Sequence, residues 1–159
     1  MVEIIKDLFG LAKDSRGIVK DVQDEKTKAR GIKNRILAEV EFNMDLILEH
    51  YLEKNVAEEK IIEKLKTEQL AKAIDDGFDF KKMKKGNVTA ALIGENQFLK
   101  KYIGYDCEAL LRKIRHHIEQ IKLLPELYDL KEDKKINLKT RLENLGKRYI
   151  LFTKFLKSK

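Results

Sequence analysis

The sequence predicts an all-α, up-and-down helical bundle of four core helices plus an amphipathic N-terminal helix, and three observations carry that reading. Proline occurs once and glycine eight times in 159 residues, while Lys, Glu, Leu and Ile dominate, a composition that favours uninterrupted helix. Apolar residues recur at steps of three and four along most of the chain, the period of a helix with one buried face. Strand signals, runs of alternating β-branched and aromatic residues, are missing. No Pro-, Ser- or Gly-rich linker divides the chain, so residues 1–159 are expected to form a single domain. Residues 1–31 form the N-terminal helix and a polar connector, and residues 32–159 the core bundle.

The elements follow in order. Met1, Ile4, Ile5, Leu8, Leu11 and Ala12 share one face over residues 1–15, with Glu3, Lys6, Lys13 and Asp14 opposite. From Ile32 a strong helix runs to about Lys54, its stripe being Ile36, Val40, Met44, Ile47 and Tyr51. Asn55 with Glu58 three residues later reads as a capping box that starts the next helix, which buries Ile61, Ile62, Leu65, Leu70, Ala73 and Ile74 and ends at Asp75-Asp76-Gly77. Phe78–Gly86 is a connection with two aromatic anchors and four lysines. Val88, Ala91, Leu92, Phe98, Leu99, Tyr102 and Ile103 predict a helix that stops at Gly104, after which Asp106 caps another. That helix buries Cys107, Leu110, Leu111, Ile114, Ile118 and Ile121, and Pro125 is expected to end it at Leu124. The last helix carries Leu138, Leu142, Leu145, Tyr149, Phe152 and Leu156 at steps of 4, 3, 4, 3 and 4. Ile150, Leu151 and Phe155 fall off that seam, so its C-terminal turns bury more than one face, inside the bundle or against a second copy; a homodimer is expected.

Charge is distributed unevenly. Lys134, Lys135, Lys139, Arg141, Lys147, Arg148, Lys154, Lys157 and Lys159 face only Glu143 in the last 26 residues, which therefore carry +8 of a chain whose net charge is +7. A local basic surface attracts an anionic partner over a range that salt shortens. Nucleic acid and an acidic protein face both fit, and Lys139, Lys147, Arg148, Lys154 and Lys157 are the candidate binding residues. Residues 1–15 could also lie on a membrane surface, although their polar side mixes acids with bases where membrane binders favour bases.

Other classes are excluded or unsupported. One cysteine cannot form an intrachain disulfide, and with three histidines it leaves too few soft ligands for a Cys/His zinc site. No metal or cofactor is expected. No run of 18 apolar residues occurs and the first residues lack a basic n-region, so a cytoplasmic location is expected. No phosphate loop, dinucleotide fingerprint or Glu-x-x-His pair is present. Cys107 falls on the core stripe and reads as a small hydrophobe.

One pattern carries possible chemistry. Arg112 and His117, in the segment Leu110-Leu111-Arg112-Lys113-Ile114-Arg115-His116-His117-Ile118, have the R-x4-H form. It resembles the ribonuclease motif of the HEPN family, with Lys113 where that family usually has a small polar residue. The resemblance implies a dimeric helical bundle in which an arginine and a histidine from two subunits cleave RNA without metal, Arg112 stabilising phosphorane charge and His117 moving a proton. On a regular helix residues five apart point about 140° apart, so one helix does not bring these two onto one phosphate, whereas His116 neighbours Arg112 at i, i+4. The leading expectation is therefore a non-enzymatic binding or assembly protein that uses its basic C-terminal helix against an anionic partner. The alternative is a metal-independent ribonuclease of a toxin or antiviral type, and a peripheral membrane protein comes third.

Overall fold

The computed structural model describes residues 28–130 and 136–159. The expected N-terminal helix over 1–15, its connector up to residue 27, and Lys134 and Lys135 lie outside the described residues. Among the described residues there is no strand, and the chain is an all-α helical bundle.

Helix α1 (Lys28–Asp45) runs directly into a wider-wound π-helical stretch, Leu46–Glu53, in which N–H groups reach five residues back instead of four. Its end keeps that register, the Lys54 N–H donating to the Glu49 carbonyl at 3.1 Å. The extra residue per turn rotates the apolar stripe, and Ile47, Leu48 and Tyr51 are all buried. Asn55 then adopts φ +52°, the left-handed conformation that asparagine tolerates better than most residues, and turns the chain. The expected capping box is therefore absent. Ala57 precedes α2 (Glu58–Lys64) without a side-chain cap, and Glu58 instead accepts from the Tyr51 hydroxyl at 3.2 Å.

The single helix expected from Ile61 to Ile74 is two, α2 and α3 (Glu68–Asp75), separated at Leu65–Thr67. Side chains from distant elements take up the backbone groups this break leaves open. Asn43 accepts from the Lys66 N–H at 2.8 Å and donates to the Lys66 carbonyl at 2.7 Å. Lys122 Nζ donates to the Leu65 carbonyl at 2.7 Å. The Glu39 carboxylate accepts from the Gln69 and Leu70 N–H groups at 2.8 and 3.0 Å, so α1 supplies the N-terminal cap of α3. Periodicity alone does not see these polar contacts.

Past Gly77 (φ +69°) the lysine-rich connection makes one 3-10 turn, Phe80–Lys82, held by buried Phe78, Phe80 and Met83. The continuous helix expected over Val88 to Ile103 is replaced by one turn, α4 (Ala90–Ile93), and a 3-10 stretch, Gln97–Tyr102. Gly94 at φ +59° breaks it, and Ile93 takes the core position expected for Leu92, which is only half-buried. Val88 and Gly104 or Tyr105 exchange backbone hydrogen bonds of 2.8 and 2.9 Å, closing this segment into a loop.

Helix α5 (Cys107–Leu127) starts where expected, Asp106 accepting from the Ala109 N–H at 2.8 Å. Pro125 does not end it at Leu124. It sits exposed in the last turn, where only one helical hydrogen bond is forfeited, and the helix continues to Leu127. Helix α6 (Leu138–Lys157) begins at an Asn137 cap, which accepts from the Thr140 N–H at 2.9 Å. It packs on α5, α1, α2, α4, the π-helical stretch and Gln97–Tyr102. That central position explains its off-seam residues, since Leu151 and Phe155 are 0 % and 1 % exposed within the chain itself. The core is otherwise the expected one: Ile36, Val40, Met44, Ile47, Leu65, Leu99, Leu111, Ile114, Ile118, Leu142, Leu145, Tyr149 and Phe152 are buried.

Candidate functional site

The basic residues of α6 divide into two groups by depth. Lys139, Lys154, Lys157 and Lys159 are exposed, and Lys147 is half-buried. Arg148 does not belong to a solvated coat, because it is only 4 % exposed. A helix in contact with six other segments has no open back, so a long cation near its middle is drawn inside.

Around Arg148 the structure gathers groups from three elements. Its Nε donates to the Tyr102 hydroxyl at 2.5 Å, and its guanidinium lies 5.0 Å from the Phe98 ring centre and 5.8 Å from that of Tyr102. Lys101 Nζ sits 4.3 Å from the Phe98 centroid, and Lys147 Nζ 5.4 Å from it. These cations rest on aromatic faces, whose negative quadrupole attracts them, and none of them has a carboxylate partner among the described residues. Burial, with repulsion from Arg148 and Lys113, lowers the Lys101 pKa.

His117 turns toward the same region. Burial above all, then the charge of Arg148, pulls its pKa down to about 4, against a smaller opposing contribution from the Arg141 backbone, so the imidazole is neutral at pH 7. Its Nε2 is buried and unpartnered, as is Nη1 of Arg148. Arg112 lies elsewhere. It is exposed and bound to Glu108 one turn back, its Nε at 2.8 Å and Nη2 at 2.7 Å from the same carboxylate oxygen. Within one chain the structure therefore sets His117 beside Arg148 and holds Arg112 on the outer face of α5.

A second basic region forms at the C-terminal end of α6. Lys84 Nζ donates to the Ser158 carbonyl and sits 5.8 Å from the Phe155 ring, tying the connection 78–86 to the end of that helix. Lys81, Lys82 and Lys85 on that connection are exposed, as are Lys154, Lys157 and Lys159 at the end of the helix to which Lys84 ties it. A cleft of about 480 Å³ beside this connection is lined by Lys81, Lys84 and Lys85 but also by Asp79, Asp106 and Glu108, so its charges balance. Cys107 borders it, but burial pushes the thiol up to about 12, and a thiol that stays protonated is no nucleophile. Among the described residues no cluster of His, Cys, Asp and Glu could hold a metal ion, and no helix is long and apolar enough to cross a membrane.

Sequence reasoning missed Lys101 and read Lys84 only as one of four lysines in a solvated basic connection, since each gains its setting from long-range packing. Phe98 and Tyr102, four residues apart, read as a core stripe, and nothing in their spacing shows that a guanidinium lies against them. Compared with known proteins, the chain matches no family model, no curated protein and no solved structure.

Proposed function

We propose that this is a non-enzymatic binding or assembly protein that takes nucleic acid onto the basic end of its bundle, with an acidic protein face as the other partner of the same chemistry. The observation that carries this reading is the bond from Lys84 to the Ser158 carbonyl, which joins two lysine-rich segments far apart in sequence. Lys81, Lys85, Lys154 and Lys157 are exposed and have no ion-pair partner among the described residues. Lysines are point charges on flexible stems, suited to sequence-independent contact with phosphates rather than to reading bases.

The test is fluorescence anisotropy with labelled single-stranded RNA and DNA across a salt series. Binding should be sequence-independent and fall with salt at a log–log slope of about −3, the value for roughly four phosphate contacts on a single strand. Exchanging Lys85, Lys154 and Lys157 for Glu should remove it. Absence of binding at low salt, or binding unchanged in that variant, would discard nucleic acid and leave an acidic protein as the partner. The HEPN-like ribonuclease reading draws less support, because Arg112 is committed to Glu108 while His117 faces α6.

A further inference from the structure

We propose that the place where α5, α6 and Gln97–Tyr102 meet is a binding site for one phosphoryl group, free phosphate or a phosphomonoester, with the buried Arg148 as its main contact, His117 nearby and Lys101 and Lys147 at its rim. The site is distinct from the basic end described above, shares none of the residues tested there, and does not depend on nucleic-acid binding.

Elsewhere in the interior, polar side chains are well satisfied. Glu39 takes two backbone N–H groups, and Asn43 takes one and gives hydrogen bonds to the Lys66 carbonyl and the Tyr149 hydroxyl. Among the described residues three buried polar side-chain atoms have no partner, Asn34 Oδ1, His117 Nε2 and Arg148 Nη1, and the last two lie on the helices α5 and α6 that pack together here. Arg148 is the more demanding of them. A guanidinium does not deprotonate, has five N–H donors, and costs several kcal/mol to bury without a counter-charge. Among the described residues only its Nε has a hydrogen-bond partner, the Tyr102 hydroxyl. Water could take up the open hydrogen bond but would leave the charge unbalanced.

The surroundings specify the sign and size of what would balance it. Lys101, Arg141 and Arg148 all act on His117 as positive charges, and among the described residues no carboxylate offsets them. Lys101 is exposed, Phe98 and Lys147 are half-buried, and both lysines lie over the same Phe98 ring as the Arg148 guanidinium. An oxyanion with several lone pairs could accept from Arg148 Nη1 and draw both ammonium groups off the Phe98 face. Two negative charges match this crowd of cations better than one, which favours phosphate over a carboxylate. The neutral imidazole can either accept from a protonated phosphate oxygen or take up a proton as the anion arrives.

The experiment titrates the full chain with inorganic phosphate, following the Arg148 Nε–H and His117 side-chain NMR signals and the Tm, with sodium chloride at matched ionic strength as control. The expected result is a saturable shift of both signals, a Tm raised by several degrees by phosphate alone, and an upward move of the His117 titration. Arg148→Met should abolish the response. Lys101→Ala with Lys147→Ala alters only the rim, so it should fold in any case, and it should weaken binding by at least about fivefold, the size of a lost charge-assisted contact. Phenyl phosphate run in parallel separates the sources: tighter binding than inorganic phosphate assigns the site to a phosphomonoester, and equal binding to the free ion. The proposal is overturned if no saturable shift appears up to tens of millimolar phosphate, or if the rim variant responds like the wild type.

Discussion

Asn43 and Lys66 are joined by two hydrogen bonds, the Asn43 side chain accepting from the Lys66 N–H at 2.8 Å and donating to its carbonyl at 2.7 Å. The same amide donates to the Tyr149 hydroxyl at 3.0 Å, so one residue of α1 fixes both the break between α2 and α3 and the depth of α6. Asn43→Ala would leave the Lys66 groups and the Tyr149 hydroxyl short of partners in a buried setting. A loss of about 2 to 4 kcal/mol in urea unfolding is expected, since each orphaned buried group costs roughly 1 to 3 kcal/mol and the chain relaxes in part. Asn43→Asp keeps the acceptor but removes the donor and should also destabilise, at pH values where the carboxyl is charged.

Leu145 and Ile114 are 0 % and 1 % exposed on the facing helices α6 and α5. Truncating either to Ala opens a cavity that its neighbours fill incompletely, so each should cost about 2 to 5 kcal/mol. Denaturant midpoints measured at constant m-value provide the check, and a loss below about 0.5 kcal/mol would mean that the side chain is not enclosed.

His117 should make the fold acid-sensitive. Its folded pKa of about 4 lies below the ordinary value of 6.5, so between these limits the unfolded chain binds the proton more tightly than the native one. Stability is expected to be full above about pH 6.5, to fall as pH drops toward 4, and to lose nothing further from this residue below that. His117→Gln should flatten this part of the curve. Measuring Tm from pH 4 to pH 8 for both proteins tests the sign, and equal slopes would show that the imidazole is not held neutral.

No cleavage of single-stranded RNA in EDTA is expected from the purified protein. Arg112 is engaged by Glu108 on an exposed surface, at 2.7 Å, and His117 lies on the side of α5 that meets α6. Metal-independent cutting that is lost in both Arg112→Ala and His117→Ala, with the fold intact, would replace the binding reading by the enzymatic one.

Comparison of these elements with the sequence shows what one-dimensional pattern can carry. Long amphipathic runs such as Leu138–Lys157 were legible because one face of a helix repeats every three to four residues whatever it packs against. The break at Leu65–Thr67 was not, because its backbone is satisfied by Glu39, Asn43 and Lys122, which lie 23 to 57 residues away in the chain. Arg148 was counted as a surface cation for a related reason. A wheel gives the direction of a side chain around its own helix but not whether another segment, here Gln97–Tyr102, covers that direction. Asp106 was expected as a cap and its side chain bonds its own next turn, a local rule; Asn137 does the same without having been expected, and Asn55, expected to cap, has a different backbone.

Helix α6 lies at the hub of the bundle, and it follows every segment it touches. During synthesis the segments that pack on α6 leave the ribosome before it, and the faces they turn toward it stay uncovered until residues 138–157 emerge. Completion of this bundle therefore waits for residues 138–157, whatever order the earlier helices form in, and a nascent chain arrested before α6 would expose apolar surface that invites chaperones.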